Sequence, residues 1–260
     1  MVLAHLLIDG KPQMGWVHAG RILPVSAYIQ LEQKALPPTI DALVADLPSY
    51  EATARAAYAR LTAGDYQEHT LPFDEAQALS PILRPVTFRD AYAFRQHVAT
   101  SRRNRGLEMI LEFDQFPVFY FSNPNAIQGA GPVQVMPEHL RQLDFELEVA
   151  MVLGKGGRNL KAADADAHCF GLMCLNDWSA RGLQMDEMKL NLGPAKGKDF
   201  ATSMGPVLVT LDTLEAYRVA PPAGHVGLAW HLPMACTVNG KLESSGTLGS
   251  MDWTFAEILE

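Results

Sequence analysis

The chain is short of cysteine, of charge and of basic residues in particular, and each shortage removes a class of function. Three cysteines, Cys169, Cys174 and Cys236, are too few and too scattered for a disulfide framework or a zinc cluster, so they read as buried apolar thiols. Lysine and arginine number 21 against 29 aspartates and glutamates, a formal net charge of −8. Such a chain has no electrostatic reason to bind nucleic acid or an anionic membrane surface. No apolar run approaches the roughly 20 residues a membrane helix needs. The start, MVLAHLLIDGKP, has no basic n-region, so no signal peptide is evident and a reducing cytoplasm is expected. Repeats and low-complexity tracts are absent too. With 48% hydrophobic and 19% charged residues over 260 positions, what remains is a folded protein with a sizeable core.

The opening third reads as a small β-rich unit followed by helices. Val2 to Ile8 closes on Asp9-Gly10, a tight-turn dipeptide, and Met14 to Val17 and Arg21 to Val25 follow as short strands around Ala19-Gly20. Ile40, Leu43, Val44 and Leu47 recur at helical spacing behind Thr39, a good N-cap. Pro48 is expected to interrupt that helix, with Ser49 capping a second one from about Tyr50 to Leu61, stopped by Gly64. Residues 66–87 are polar and proline-punctuated, the composition of a linker. This gives a small N-terminal domain over 1–65 and a main domain over 88–260. In the latter, short strands such as Phe116–Phe121, Phe145–Leu153, Phe170–Leu175 and Pro206–Thr210 dominate, so the expected class is α+β with a barrel-like mixed sheet.

One segment concentrates negative charge. In Leu143-Asp144-Phe145-Glu146-Leu147-Glu148, alternation puts Asp144, Glu146 and Glu148 on one face of a strand. Alternation alone also fits a solvated acidic face. The uninterrupted apolar run from Val149 to Leu153, however, predicts a strand entering the interior. Two carboxylates ~4 Å apart repel by about 4 kcal/mol at an effective dielectric of 20, and desolvation adds several kcal/mol per charge. A bound divalent cation offsets both. Carboxylates without accompanying Cys or His select a hard ion, Mg²⁺, Ca²⁺ or Mn²⁺, and argue against structural zinc. Asp177, after another apolar strand, reads equally as a turn residue, and Asp90 equally as a helix-entry residue.

Any small anionic substrate must be met by local cations that overcome the global field. If the stretch after Asp177 is helical, Asp177, Arg181 and Gln184 share a face at i,i+4 and i,i+3 spacing. Arg181 fits a surface partner of Asp177 as well. Lys198 follows a glycine-bearing loop, but a phosphate loop needs glycine at 192 and Ser or Thr at 199, where the chain has Leu192 and Asp199. Nucleotide binding is rejected on that ground. His97, seven residues after Asp90, would share a helical face with it, although a lone histidine is more commonly structural.

Taken in order, these segments resemble the fumarylacetoacetate hydrolase family. The resemblance is carried by Asp90-x-Tyr92 with Arg95-Gln96-His97, by Pro117-Val118-Phe119-Tyr120, and by Asp144-Phe145-Glu146-Leu147-Glu148. It continues in Asn176-Asp177-Trp178-Ser179-Ala180-Arg181 with Gln184 and in Leu192-Gly193-Pro194 leading to Gly197-Lys198, with weaker likeness to Asn239-Gly240. It implies a mixed β-roll with a small N-terminal domain, assembled as a homodimer. It implies that Asp90, Glu146, Glu148 and Asp177 hold Mg²⁺ (or Ca²⁺ or Mn²⁺) and that His97 is the general base. Tyr92, Tyr120, Arg181, Gln184 and Lys198 would bind a small oxo-acid substrate, with Lys198, Arg181 and Gln184 also stabilising the developing oxyanion. The implied reaction is hydrolysis of a carbon–carbon bond in an acidic 1,3-diketone or acylpyruvate by water activated at His97. A β-oxo acid decarboxylase, an oxo-enoate hydratase and a non-catalytic ligand-binding homologue are the alternatives.

Two departures from the family pattern stand out. Gly182 occupies a place that commonly carries Asp. The family also continues past the helix corresponding to Phe255–Leu259 into strands with Gly-Asp and Thr-Gly-Thr elements, which help orient the catalytic histidine and grip the substrate. The natural protein is therefore expected to extend beyond Glu260.

Overall fold

The computed structural model describes residues 1–260. Its first three strands, β1 (Val2–Ile8), β2 (Lys11–His18) and β3 (Arg21–Pro24), form an antiparallel meander. Asp9 and Gly10 turn the first corner with φ of 51° and 72°, the left-handed pair that a two-residue hairpin demands. Helix α1 (Val25–Glu32) follows directly, burying Val25 and Tyr28 and ending on left-handed Gln33. Its β-branched and aromatic content conceals it in the sequence.

Helix α2 (Ile40–Ala45) carries the expected cap, Thr39 accepting from the Ala42 N–H at 3.3 Å. Helix α3 (Leu47–Thr62) corrects the expected break. Pro48 sits in its first turn, where a missing N–H costs nothing, so the proline starts the helix and Ser49 lies inside it.

Residues 66–87 are tied down along their length. Strand β4 (Leu71–Pro72) pairs with β3, the Leu79 N–H donates to the His5 carbonyl, and the Asp41 carboxylate accepts from the amides of Leu83 and Arg84. Beyond them come β5 (Arg89–Ala91), α4 (Arg95–Arg103), β6 (Phe119–Phe121), β7 (Ile127–Gln128), β8 (Leu143–Asp144) and β9 (Leu147–Leu153). Short α5 (Ala162–Ala165) leads to β10 (Cys169–Asp177), β11 (Ser179–Ala180), α6 (Arg181–Met188), β12 (Thr202–Met204) and β13 (Leu208–Thr210), and α7 (Phe255–Leu259) ends the chain.

Strand β10 is the organiser. One edge pairs with β9 along nearly its whole length, while the other takes β13 near its start and β12 at its end. Strand β13 in turn pairs with β1, Leu208 opposite Leu3, so the N-terminal meander extends the same nine-stranded mixed sheet. The main core follows that continuity. Leu3, Trp16, Leu43 and Leu61 pack in one cluster with Phe170, Met173, Leu175, Met204 and Leu208. Leu172 points away from Met173 and Leu175, into a smaller cluster with Leu214, Trp230 and Leu248, as strand alternation requires. The register shift between Cys169 and Gly171 leaves Phe170 on the main-core side. No helix is long and apolar enough to cross a membrane.

Candidate metal centre

The acidic segment expected as one strand is two. Strand β8 pairs with β11, β9 pairs with β10, and Phe145-Glu146 bends between them, with the Glu146 N–H donating to the Asn176 side-chain oxygen at 3.2 Å. Strand β9 also stays half-buried, Ala150 and Val152 packing at the margin of the main core and Val149 and Met151 at the margin of the smaller one. The bend separates the three acids. Asp144 pairs with Arg181 at 2.8 Å, Glu146 takes Arg181 on one oxygen and Lys198 on the other, and Glu148 points to the end of β10.

There Glu148 meets Asp177 and Asp90, with ligand oxygens of all three within 4.8 Å of one another. Each arrives from a different element: Asp90 from β5, Glu148 from β9, and Asp177 from the last position of β10. Asp90 therefore lies on a strand, and His97 near the start of α4; the expected common helical face does not exist. What fixes His97 is the anchoring of α4. Asp252 accepts from the Arg95 N–H at 2.7 Å, and the Ala93 carbonyl accepts from the Asp252 and Trp253 amides.

Burial sets the electrostatics. Desolvation, then the neighbouring Asp177 charge, pushes Asp90 up to about 7. Desolvation and the charges of Asp90 and Glu146 drive Glu148 well above the ordinary carboxylate range, and burial also raises Asp177. Glu146 is the opposite case: burial works against its charge, yet Lys198 and Arg181 hold it down at about 2. Burial alone would lower Lys198, but Glu146 and Asp177 raise it, so it stays an ammonium. Tyr120, raised by burial and then by Asp90 and Asp177, keeps its proton and donates it to Asp177 Oδ2 at 2.6 Å. Burial lowers His97, opposed by Glu146 and reinforced by Arg181 and Lys198, so its imidazole is neutral near pH 7.

Four carboxylates, Asp90, Glu146, Glu148 and Asp177, face two cations, Lys198 and Arg181. If all are ionised, the excess equals the charge of one divalent ion. Two oxygens, Asp90 Oδ2 and Asp177 Oδ1, are buried without any partner. Unsatisfied buried carboxylate oxygens cost several kcal/mol and are found where an ion or proton completes them. This donor set, all oxygen and crowded, fits a hard divalent cation.

The remaining expected residues are spread around this centre. Gln184 supplies its amide oxygen to Arg181 at 3.2 Å, the i,i+3 contact foreseen, but Arg181 opens α6 and its acid partners are Asp144 and Glu146, not Asp177. Tyr92 packs its ring 5.8 Å from that of His97. Tyr120 and Lys198 line a cleft of about 280 Å³ with Phe121, Asn123, Pro194 and Ala195. Gly182 has room for a side chain, an added Cβ meeting only Arg141 Cβ at an ordinary contact distance of 3.9 Å. One residue escaped the sequence reading altogether. Glu187 of α6 accepts hydrogen bonds from three successive amides, Ala195, Lys196 and Gly197. Its only signal is its place near the end of the helix that Arg181 opens.

A mixed α+β roll with a carboxylate cluster at the end of its central strand defines the class. The family model described as fumarylacetoacetate (FAA) hydrolase C-terminal matches residues 86–260, and the chain belongs to the fumarylacetoacetate hydrolase family. The fumarylacetoacetase of Oryza sativa subsp. japonica is 45% identical over 85 residues, 32% of this chain and 20% of that protein. A mitochondrial oxaloacetate tautomerase of Homo sapiens is 31% identical over 201 residues, 77% of this chain and 57% of that protein. The chain thus spans between about a fifth and somewhat over half of these curated relatives. Among solved structures, the fumarylacetoacetate hydrolase of psychrophilic Exiguobacterium antarcticum superposes with a TM-score of 0.66 at 22% identity, covering 100% of this chain and 79% of that one. A maleylpyruvate hydrolase of Sphingobium in complex with manganese(II) and pyruvate gives 0.65 at 21%, covering 100% and 81%. These two share the fold.

Proposed function

We propose that the chain is a divalent-metal-dependent enzyme that hydrolyses a carbon–carbon bond in a small acylpyruvate or acidic 1,3-diketone. The observation that supports it is the pair of buried, partnerless oxygens on Asp90 and Asp177 beside Glu148, set against an ammonium, a guanidinium and a neutral imidazole. Asp90, Glu148 and Asp177 would hold the ion, with Glu146 adjoining as the fourth acid; Mg²⁺, Mn²⁺ and Ca²⁺ all suit oxygen donors. When bound, the ion supplies Lewis-acid polarisation of a substrate oxo group.

The chain's own groups would do the rest. Neutral His97 takes a proton from water as the water adds to the carbonyl carbon. The carbon–carbon bond breaks, its electron pair leaves with the departing carbon, and the proton returns there from His97. Lys198 and Arg181 offer charged donors to the oxygen that gains charge, and Gln184 holds the guanidinium in place. Tyr120, still protonated, fixes Asp177. Phe121 and Pro194 present apolar surface to the cleft.

Keto–enol tautomerisation of a 2-oxo acid is the second reading. It is favoured by the alignments with oxaloacetate tautomerases over 166 and 201 residues. Metal-loaded protein incubated with an acylpyruvate panel and with oxaloacetate separates the two. Pyruvate plus a free carboxylic acid is expected. Enol–keto interconversion without new products would favour the second reading, and turnover of nothing by metal-loaded protein would leave a ligand-binding homologue. Assembly as a homodimer belongs to the same proposal, and sedimentation tests it.

A further inference from the structure

Lys198 is buried, and its ammonium is fixed at 2.7 Å from Glu146 and 2.5 Å from Asp177. It follows the loop Gly193-Pro194-Ala195-Lys196-Gly197, which belongs to no strand or helix. Loops of this composition are pliant, and a pliant loop places a long side chain poorly. Something must hold this one. Two contacts come from the loop's surroundings. The Gly197 carbonyl accepts from the Ala180 N–H at 2.8 Å, and Gly197 lies so close to α6 that an added Cβ would stand 2.7 Å from the Gln184 amide nitrogen. The larger contact is Glu187. Its Oε2 accepts from the Ala195 and Gly197 amides at 3.0 and 3.1 Å, and its Oε1 from Lys196 at 2.8 Å.

We propose that Glu187 is the positioning residue of Lys198, its carboxylate gathering the amides of residues 195–197 so that the next side chain is delivered onto Glu146 and Asp177. Helix α6 then acts as a bracket on one ion pair from both sides. Arg181 at its start grips Glu146, while Glu187, six residues on, grips the loop that carries the partner of Glu146. The same grip sets the wall of the cleft, since Pro194 and Ala195 line it. Charge-assisted bonds from backbone amides to a carboxylate are roughly twice as strong as neutral ones, and three on one group act together. Glu187 is a member of neither the carboxylate cluster nor the cleft lining, so its effect must pass through the loop amides it holds and through Lys198.

The inference rests on the assignment of Lys198 to the reaction, but its test reads the lysine directly. The probe is pulse acetylation of folded protein with acetic anhydride, followed by peptide mass spectrometry. In the unaltered protein Lys198 is expected to be protected and exposed Lys189 labelled. Glu187→Ala should raise Lys198 labelling by about tenfold or more, the effect of losing charge-assisted bonds from a local opening equilibrium, with Lys189 unchanged. Amide exchange at 195–197 should quicken in step. Glu187→Gln, which keeps one acceptor oxygen and the shape, should fall between the two and covers the case in which the alanine variant does not fold. A lysine as protected in both variants as in the parent, with unchanged exchange at 195–197, would overturn the proposal. So would Lys198 labelling that rises together with exchange at buried amides throughout the central sheet, since that is general loosening. Neither result touches the reaction proposed above, which product analysis decides separately.

Discussion

Lys198 and Glu146 lie 52 positions apart in the chain and are joined at 2.7 Å, and the same ammonium reaches Asp177 at 2.5 Å. Both pairs are buried, where an unpaired charge costs several kcal/mol. Lys198 therefore neutralises one side of the acidic cluster and leaves the other side, Asp90 with Glu148 and the free oxygen of Asp177, uncompensated.

That imbalance predicts a trade between stability and binding. Asp90→Asn keeps the shape and removes one of the crowded charges. Without metal, the variant should be more stable than the parent by on the order of 1 kcal/mol, the equivalent of one unit of pKa. With metal, it should bind Mg²⁺ or Mn²⁺ more weakly by more than the roughly 10–100-fold that loss of an outer partner costs. Calorimetric titration and melting in chelator measure the two arms. A variant that is less stable without metal and binds it as tightly would show that the cluster is built for something else.

His97 carries the second prediction. His97→Asn should lower kcat by roughly 10²–10⁴, the span for loss of a general base, and leave metal affinity intact. The pH profile has a sign as well. Burial lowers this imidazole, with Arg181 and Lys198 reinforcing it. A base with a depressed pKa stays neutral on acidification, so the acid limb of kcat/KM should lie below the ordinary histidine value of 6.5. A limb above that value would point to a different base.

The sequence showed which residues gather more readily than how they are held. Short strands with tight turns were legible because Asp9-Gly10 and the alternating apolar runs are local signals, and Thr39 marked its helix for the same reason. Pro48 misled because a proline that ends one helix and one that begins the next look alike without the backbone. The break at Phe145-Glu146 is fixed by Asn176 from another strand, so no pattern inside residues 143–153 reveals it. The same holds for Asp144, whose carboxylate lies on the acidic face by alternation yet serves Arg181. Glu187 was invisible because its partners are backbone amides, which leave no trace in side-chain identity.

The shared sheet makes a prediction about cooperativity. Strand β1 pairs with β13, and Leu208 of β13 packs in the cluster that holds Leu3 and Trp16. An independent N-terminal unit would unfold by itself. A single transition is expected instead, seen alike by tryptophan fluorescence and far-ultraviolet dichroism. Leu208→Ala removes a fully buried side chain and should cost about 2–5 kcal/mol, shifting the whole transition to lower temperature without splitting it. Two separated transitions in the parent would favour a separately folding N-terminal unit bounded near residue 65.

The same junction contains a titratable group whose proton count is fixed by its partners. His5, fully buried in β1, places Nδ1 3.2 Å from the Ser80 carbonyl, and its Nε2 accepts from the Ile40 N–H at 2.9 Å. A ring that donates on one side and accepts on the other is neutral, and burial, opposed by the Ser80 carbonyl and Asp41, lowers its pKa below 6.5. The unfolded chain keeps the ordinary value. As pH falls through 6.5 the unfolded state takes up a proton that the folded state refuses, so the stability present above that pH is lost progressively below it. His5→Gln should melt lower than the parent at pH ~8, because buried hydrogen bonds worth about 1–3 kcal/mol are disturbed. It cannot titrate, however, so the gap between the two melting temperatures should narrow as pH falls from ~7.5 to ~5. Measuring both proteins across that range cancels the titration of every other group they share. A gap that stays constant, or widens on acidification, would mean that the folded state takes up the proton at least as readily as the unfolded chain, the bond from Ile40 being given up at little cost.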